Sequence, residues 1–191
     1  MTTTKNTTIE GLPAITAQLV KTEQANLPGI ESLVQPFKFQ SQPHEYKVTP
    51  LRECPTPDAM QTCDTPDKIA DYWHRHIVTH PYYDSDRECF VAIMLNTRRR
   101  VKGHYLVSIG TMDTILVHPR EVFRLAIMTA ASALVLAHNH PSGDHTPSEA
   151  DIKVTRDLIR AGQLLKIEVI DHVVIGRPSF SSLRGLGYFY A

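Results

Sequence analysis

Apolar residues begin to repeat at Thr65. Across TPDKIADYWHRHIV, residues Ile69, Tyr72, Trp73, His76 and Ile77 share one stripe. This predicts an amphipathic helix that stops before Pro81. The run ECFVAIMLN, Glu88–Asn96, is apolar between its two polar ends and predicts a buried strand. TRRR then turns the chain into VKGHYLVSIG, a second strand, giving a hairpin. TILVHP, Thr114–Pro119, predicts a third short strand. PREVFRLAIMTAAS, Pro119–Ser132, opens on proline and predicts a helix, and ALVLAHNH, Ala133–His140, an apolar strand. SEADIKVTRDLIRAGQLL predicts a further helix, with Gly162 near its end. KIEVIDHVVIG, Lys166–Gly176, gives one bent strand or two, and RPSFSSLRGLGYF closes the chain. Strands alternating with helices predict an α/β sandwich around one mixed sheet.

Ahead of this pattern the chain is rich in Thr, Gln and Pro, with only short apolar pieces. Residues 1–49 are therefore expected to be an extended or partly ordered arm, and residues 50–191 the folded domain. A length of 191 residues suffices for one such domain with its own core. Lys+Arg and Asp+Glu number 20 each, so no bulk charge draws the chain to nucleic acid or to an anionic membrane. Three cysteines without CxxC spacing, Cys54, Cys63 and Cys89, argue against a disulfide framework and a cysteine zinc cluster. MTTTKNTTIEGLP has no apolar core of a secretory signal, and AIMTAASALVLA is too short to span a bilayer. The expectation is a soluble protein of a reducing compartment, the cytoplasm.

Candidate chemistry gathers in LAHNHPSGDHTPSEAD, Leu136–Asp151. Strand alternation points His138 and His140 the same way, with Cα atoms roughly 6.5–7 Å apart, and Asn139 the other way. PSGD fits a type I turn. TPSE fits a helix start, with Thr146 as N-cap, Pro147 at the first helical position and Glu149 closing a capping box. Asp151 then lies about one turn into the helix, and the turn carries it back towards the strand end. His138, His140 and Asp151 would supply three N/O ligands and leave a fourth position for water, which is how catalytic zinc is held. Ser148, in the first turn, could stabilise an oxyanion or be simply a polar residue of the helix start. An HxH pair alone is a weak signal; the following turn and capped helix sharpen it. For a general base, spacing alone leaves Glu88 as an exposed carboxylate at a strand edge. Its rival Glu121 reads as a first-turn helix carboxylate.

HNHPSGDHTPSEAD resembles the JAMM (MPN-type) metalloprotease signature, in particular its bacterial RadC-like branch. The resemblance extends through RECFVAIMLNTRRRV, HPREVFRLAI, ALVLAHNHPSGDHTPSEAD, TRDLIRAGQLLKIEVIDHVVIG and SFSSLRGLG, from Asp64 to Gly187. It implies a JAMM/MPN-type α/β sandwich of cytidine-deaminase-like architecture, with one zinc on His138, His140 and Asp151. It also implies Glu88 as the base that takes a proton from the attacking water, and Ser148 as a support for the carbonyl or oxyanion. The implied substrate is a peptide or an isopeptide-linked protein. A non-catalytic, DNA-repair-associated scaffold is the alternative. Longer RadC-like proteins carry a helix-hairpin-helix segment, whereas residues 1–60 here offer only NLPGIESL, without a paired GxG hairpin or basic enrichment.

Other polar groups read more plainly. His76 and His80 are spaced i, i+4 without the glutamate of HExxH, and are expected to be surface or partly packed histidines. Arg98, Arg99, Arg100 and Lys102 crowd one turn and could meet phosphate, although a solvated turn is the expectation. Asp171 and His172 could support a ligand histidine, touch substrate, or be structural. Asp144 and His145 read as loop residues. A base deaminase would need HxE with PCxxC, and neither occurs.

Overall fold

A computed structural model describes residues 47–55, 62–110 and 117–189. Apart from residues 47–49, the expected arm lies outside the described residues, as do Thr114, Ile115 and Leu116 of the expected third strand.

Helix α1 spans Pro66–Tyr72; Thr65 caps it by accepting the Lys68 N–H, and a π-helical turn, Trp73–Ile77, continues it. The whole predicted stripe, Ile69, Tyr72, Trp73, His76 and Ile77, is buried. Strands β1, Cys89–Leu95, and β2, Val101–Ile109, form the predicted hairpin. Helix α2, Pro119–Met128, is shorter than expected: Ala130 adopts a left-handed φ of 49° and swings the chain into β3, Ala133–Asn139. Helix α3 spans Glu149–Leu165, and β4, Glu168–Ile175, is one strand. Strand β5 is Phe180–Ser182.

The sheet runs β2-β1-β3-β4-β5. Strands β3 and β4 are parallel, joined through α3, and the other neighbours are antiparallel. This is a mixed five-stranded α/β sheet with helices on both faces. Cys89, Val91, Ile93 and Leu95 of β1 pack with Ala133, Val135 and Ala137 of β3 against α1. Phe90, Ala92 and Met94 pack with Leu134 and Leu136 against α2 and α3. Both central strands are buried along their whole length. Their continuous apolar runs thus reflect burial on two faces.

One expectation about α3 changes. Its N-cap is Ser148, two residues later than expected, because the Asp144 carboxylate already accepts the Thr146 N–H at 2.9 Å. Gly162 lies near the end of the helix, as expected, in its last turn. Lys166 takes the left-handed C-cap at φ 57°. Gly162 serves a close crossing, since a Cβ there would stand 2.5 Å from the Ile167 carbonyl oxygen.

Candidate functional site

The β1–β3 register pairs Phe90 with His138. Two residues further out, the same register sets Glu88 opposite His140, on the face that packs against α3. Cys89 faces the other way and is buried there, as alternation requires. Asn139 fastens the open end of this pair: its side chain accepts the Cys89 N–H at 2.9 Å and donates to the Arg87 carbonyl at 3.0 Å. The loop after His140 is held against β4 by the Arg177 N–H to Gly143 carbonyl bond, 2.8 Å. Gly176 permits this approach, because a Cβ there would lie 2.4 Å from the Gly143 oxygen.

That loop delivers Asp151 to the histidines. His138 Nε2 lies 3.0 Å from His140 Nε2 and 3.2 Å from Asp151 Oδ1, and His140 Nε2 lies 3.4 Å from Asp151 Oδ2. Glu88 Oε1 is 3.5 Å from His138 Nε2. Ligand atoms from all four residues fall within 4.8 Å of one another. Donors about 2.0–2.1 Å from a tetrahedral ion stand ~3.3 Å from each other. The separations among His138, His140 and Asp151 match that figure, and two imidazoles with a carboxylate are a zinc-type donor set. The residues present fit a metal ion of this kind.

Neighbours fix each group. The Asp144 backbone carbonyl accepts the His140 Nδ1–H at 2.8 Å, leaving Nε2 to face the cluster. His138 Nδ1 lies 2.8 Å from His172 Nε2, and Phe90 stacks on its ring. Ser148 and Asp151 form the capping box of α3. The Asp151 Oδ2 accepts both the Ser148 N–H, 2.8 Å, and its hydroxyl, 2.6 Å, and Ser148 Oγ accepts the Asp151 N–H, 3.2 Å. Burial opposes ionisation of Asp151, but the two imidazoles beside it, His138 and His140, and the Ser148 hydroxyl together hold its carboxyl well below the usual range. Burial lifts the Glu88 carboxyl above its ordinary value; His138 opposes this and Asp151 adds to it. The hydrogen bond to Asp151 raises His140, while burial keeps the His172 ring far below the usual histidine value.

A family model described as a RadC-like JAB domain matches residues 63–188. The chain belongs to the RadC-like JAB family. A UPF0758 protein of Desulforudis audaxviator is similar at 39% identity over 166 residues, 84% of this chain and 70% of the relative. UPF0758 proteins of Desulforamulus reducens and Moorella thermoacetica are 47% and 54% identical, covering 58% and 52% of this chain and 49% and 43% of theirs. Against these last two, the chain spans about half the relative's length.

In this RadC-like JAB domain the five predicted site residues come together, and the rivals do not. Glu121 sits in the first turn of α2, paired with Arg120 and Arg124 at 3.4 Å. Of the basic turn, Arg99 pairs with Glu168 at 2.7 Å and Lys102 donates to the Thr129 carbonyl. Asp171 is structural: it accepts the His172 and Arg184 N–H groups and the Ser182 hydroxyl, tying β4 to the closing segment. His76 is more buried than expected, packed beside Tyr72. Sequence reasoning gave no part to Asn139 or Thr155 and left His172 open. The signal for Asn139 was its place beside the histidine pair, where a strand end needs its last N–H satisfied. Among the described residues no helix is long and apolar enough to cross a membrane.

Proposed function

We propose that this chain is a zinc-dependent hydrolase of an amide bond, in a peptide or an isopeptide-linked protein. The observation that carries the reading is the convergence of His138, His140 and Asp151 ligand atoms at 3.0–3.4 Å with Glu88 beside them. Three protein ligands that leave a coordination position free are the mark of catalytic zinc. Zinc held there would lower the pKa of water to about 7 and polarise a carbonyl. Glu88 is the base: its carboxylate takes a proton from the attacking water and returns it to the leaving amine. Ser148 turns its hydroxyl from Asp151 to the carbonyl oxygen as negative charge builds there. His138, His140 and Asp151 hold the metal, and the signature shared with JAMM metalloproteases supports the same allocation.

Metal analysis of the full chain, purified without chelator, should find about one zinc per chain. His138→Ala should lose it. Glu88→Gln should keep zinc and lower cleavage of a peptide and isopeptide library by about 100-fold or more. No zinc uptake on titration refutes the metal centre, and an active Glu88→Gln enzyme refutes the base. Zinc binding without any cleavage by the wild type favours a scaffold instead.

A further inference from the structure

A chain of buried side chains runs behind His138 and ends on the helix that supplies Asp151. His138 Nδ1 lies 2.8 Å from His172 Nε2, His172 Nδ1 lies 2.6 Å from Thr155 Oγ1, and Thr155 Oγ1 lies 2.6 Å from the Asp151 backbone carbonyl. His138, His172 and Thr155 are each 0% exposed, so water offers none of them another partner.

The end of the chain dictates its direction. A carbonyl oxygen only accepts, so the Thr155 hydroxyl spends its one hydrogen on Asp151. Thr155 can then only accept from His172, which must carry its proton on Nδ1. A neutral ring has a single proton, so His172 Nε2 is bare and accepts from His138 Nδ1–H. His138 Nε2 is left as a free lone pair, and Nε2 is the atom that faces His140 and Asp151. We infer that Thr155 and His172 are positioning residues that set the His138 tautomer for metal binding, with Thr155 reading its orientation from the backbone of the residue that supplies the carboxylate ligand. This rests on the metal-centre reading above.

A β-bulge makes the arrangement possible. The β3–β4 register passes from Leu134 opposite Val169 to Val135 opposite Asp171, skipping Ile170. The extra residue shifts the alternation of β4 by one, so that His172 shares a face with Val169 and comes opposite Leu136, beside His138 and under α3. Without it, His172 would point towards α1.

Two measurements on the full chain test the inference. Long-range ¹H–¹⁵N NMR of the metal-free wild type should find the His172 proton on Nδ1 and none on Nε2. Zinc affinity, by competition with a chromophoric chelator, should fall about 10–100-fold in Thr155→Val, which keeps the shape but frees His172 to reverse the chain, and return to near wild type in Thr155→Ser. A His172 proton on Nε2, or a Thr155→Val chain that binds zinc as tightly as the wild type, overturns the inference alone. A wild type that takes up no zinc overturns the metal centre and this role with it.

Discussion

Asn139 bonds the Cys89 N–H at the start of β1 and the Arg87 carbonyl just before the strand, and in doing so fixes the backbone on both sides of Glu88. Asn139→Ala should strip the buried Cys89 N–H of its partner and lower stability by about 1–3 kcal/mol, read as a shift in urea midpoint. In the proposed enzyme it should also lower kcat, while Asn139→Asp, which keeps the acceptor, should do less harm. The convergence of His138, His140 and Asp151 was legible in the sequence because it uses short-range rules: alternation along one strand, one turn and one helix start. Glu88 needed a pairing register across fifty residues, which spacing along the chain does not contain, and only the family resemblance supplied it. His172 was out of reach for another reason, since the bulge at Ile170 reverses the face that simple alternation assigns to it.

Helix α3 shows where local signals mislead. The TPSE stretch satisfies every preference of a helix start, yet Asp144 takes the Thr146 N–H first and the helix begins after Ser148. Gly162, near the helix end, is an interior contact. Lys166, with φ 57°, stops the helix without glycine's freedom. The two positions should therefore respond in opposite directions. Lys166→Gly should relieve backbone strain and add about 0.5–1 kcal/mol, raising Tm by a few degrees. Gly162→Ala should cost about 1–3 kcal/mol, because its methyl group meets the Ile167 backbone rather than a side chain that can move.

The sheet separates two sets of histidines. His138 and His172 face α3, whereas His76, His80 and His104 lie on the α1 side, where His104 Nδ1 meets the Tyr72 hydroxyl at 2.9 Å. Burial, with Arg52, His80 and His76 nearby, pushes His104 down to about 4. Burial likewise lowers His76 and His80, each near Arg52. Because His104 titrates near 6.5 when unfolded, the unfolded chain binds more protons between pH 6.5 and 4. Stability is then full above that window and declines as pH falls through it, by at most about 3 kcal/mol for this residue. Urea midpoints from pH 7.5 to 4.5 should trace the decline, with a shallower slope in His104→Gln. The α/β class and the hairpin were plain in the alternation of apolar runs. The sorting of polar groups between the two faces followed from register, which the runs do not encode.

The capping box places the Asp151 carboxylate in two equilibria at once. The oxygen that accepts the Ser148 N–H and hydroxyl is also the one nearest His140. Fraying of the first turn of α3 therefore releases a corner of the cluster, and an ion bound there would oppose that fraying by the free energy of its contact with Asp151. Amide exchange at Ile152 and its neighbours should slow on zinc addition while the central strands stay as they were, which makes the start of α3 the latch of the site and the sheet its frame.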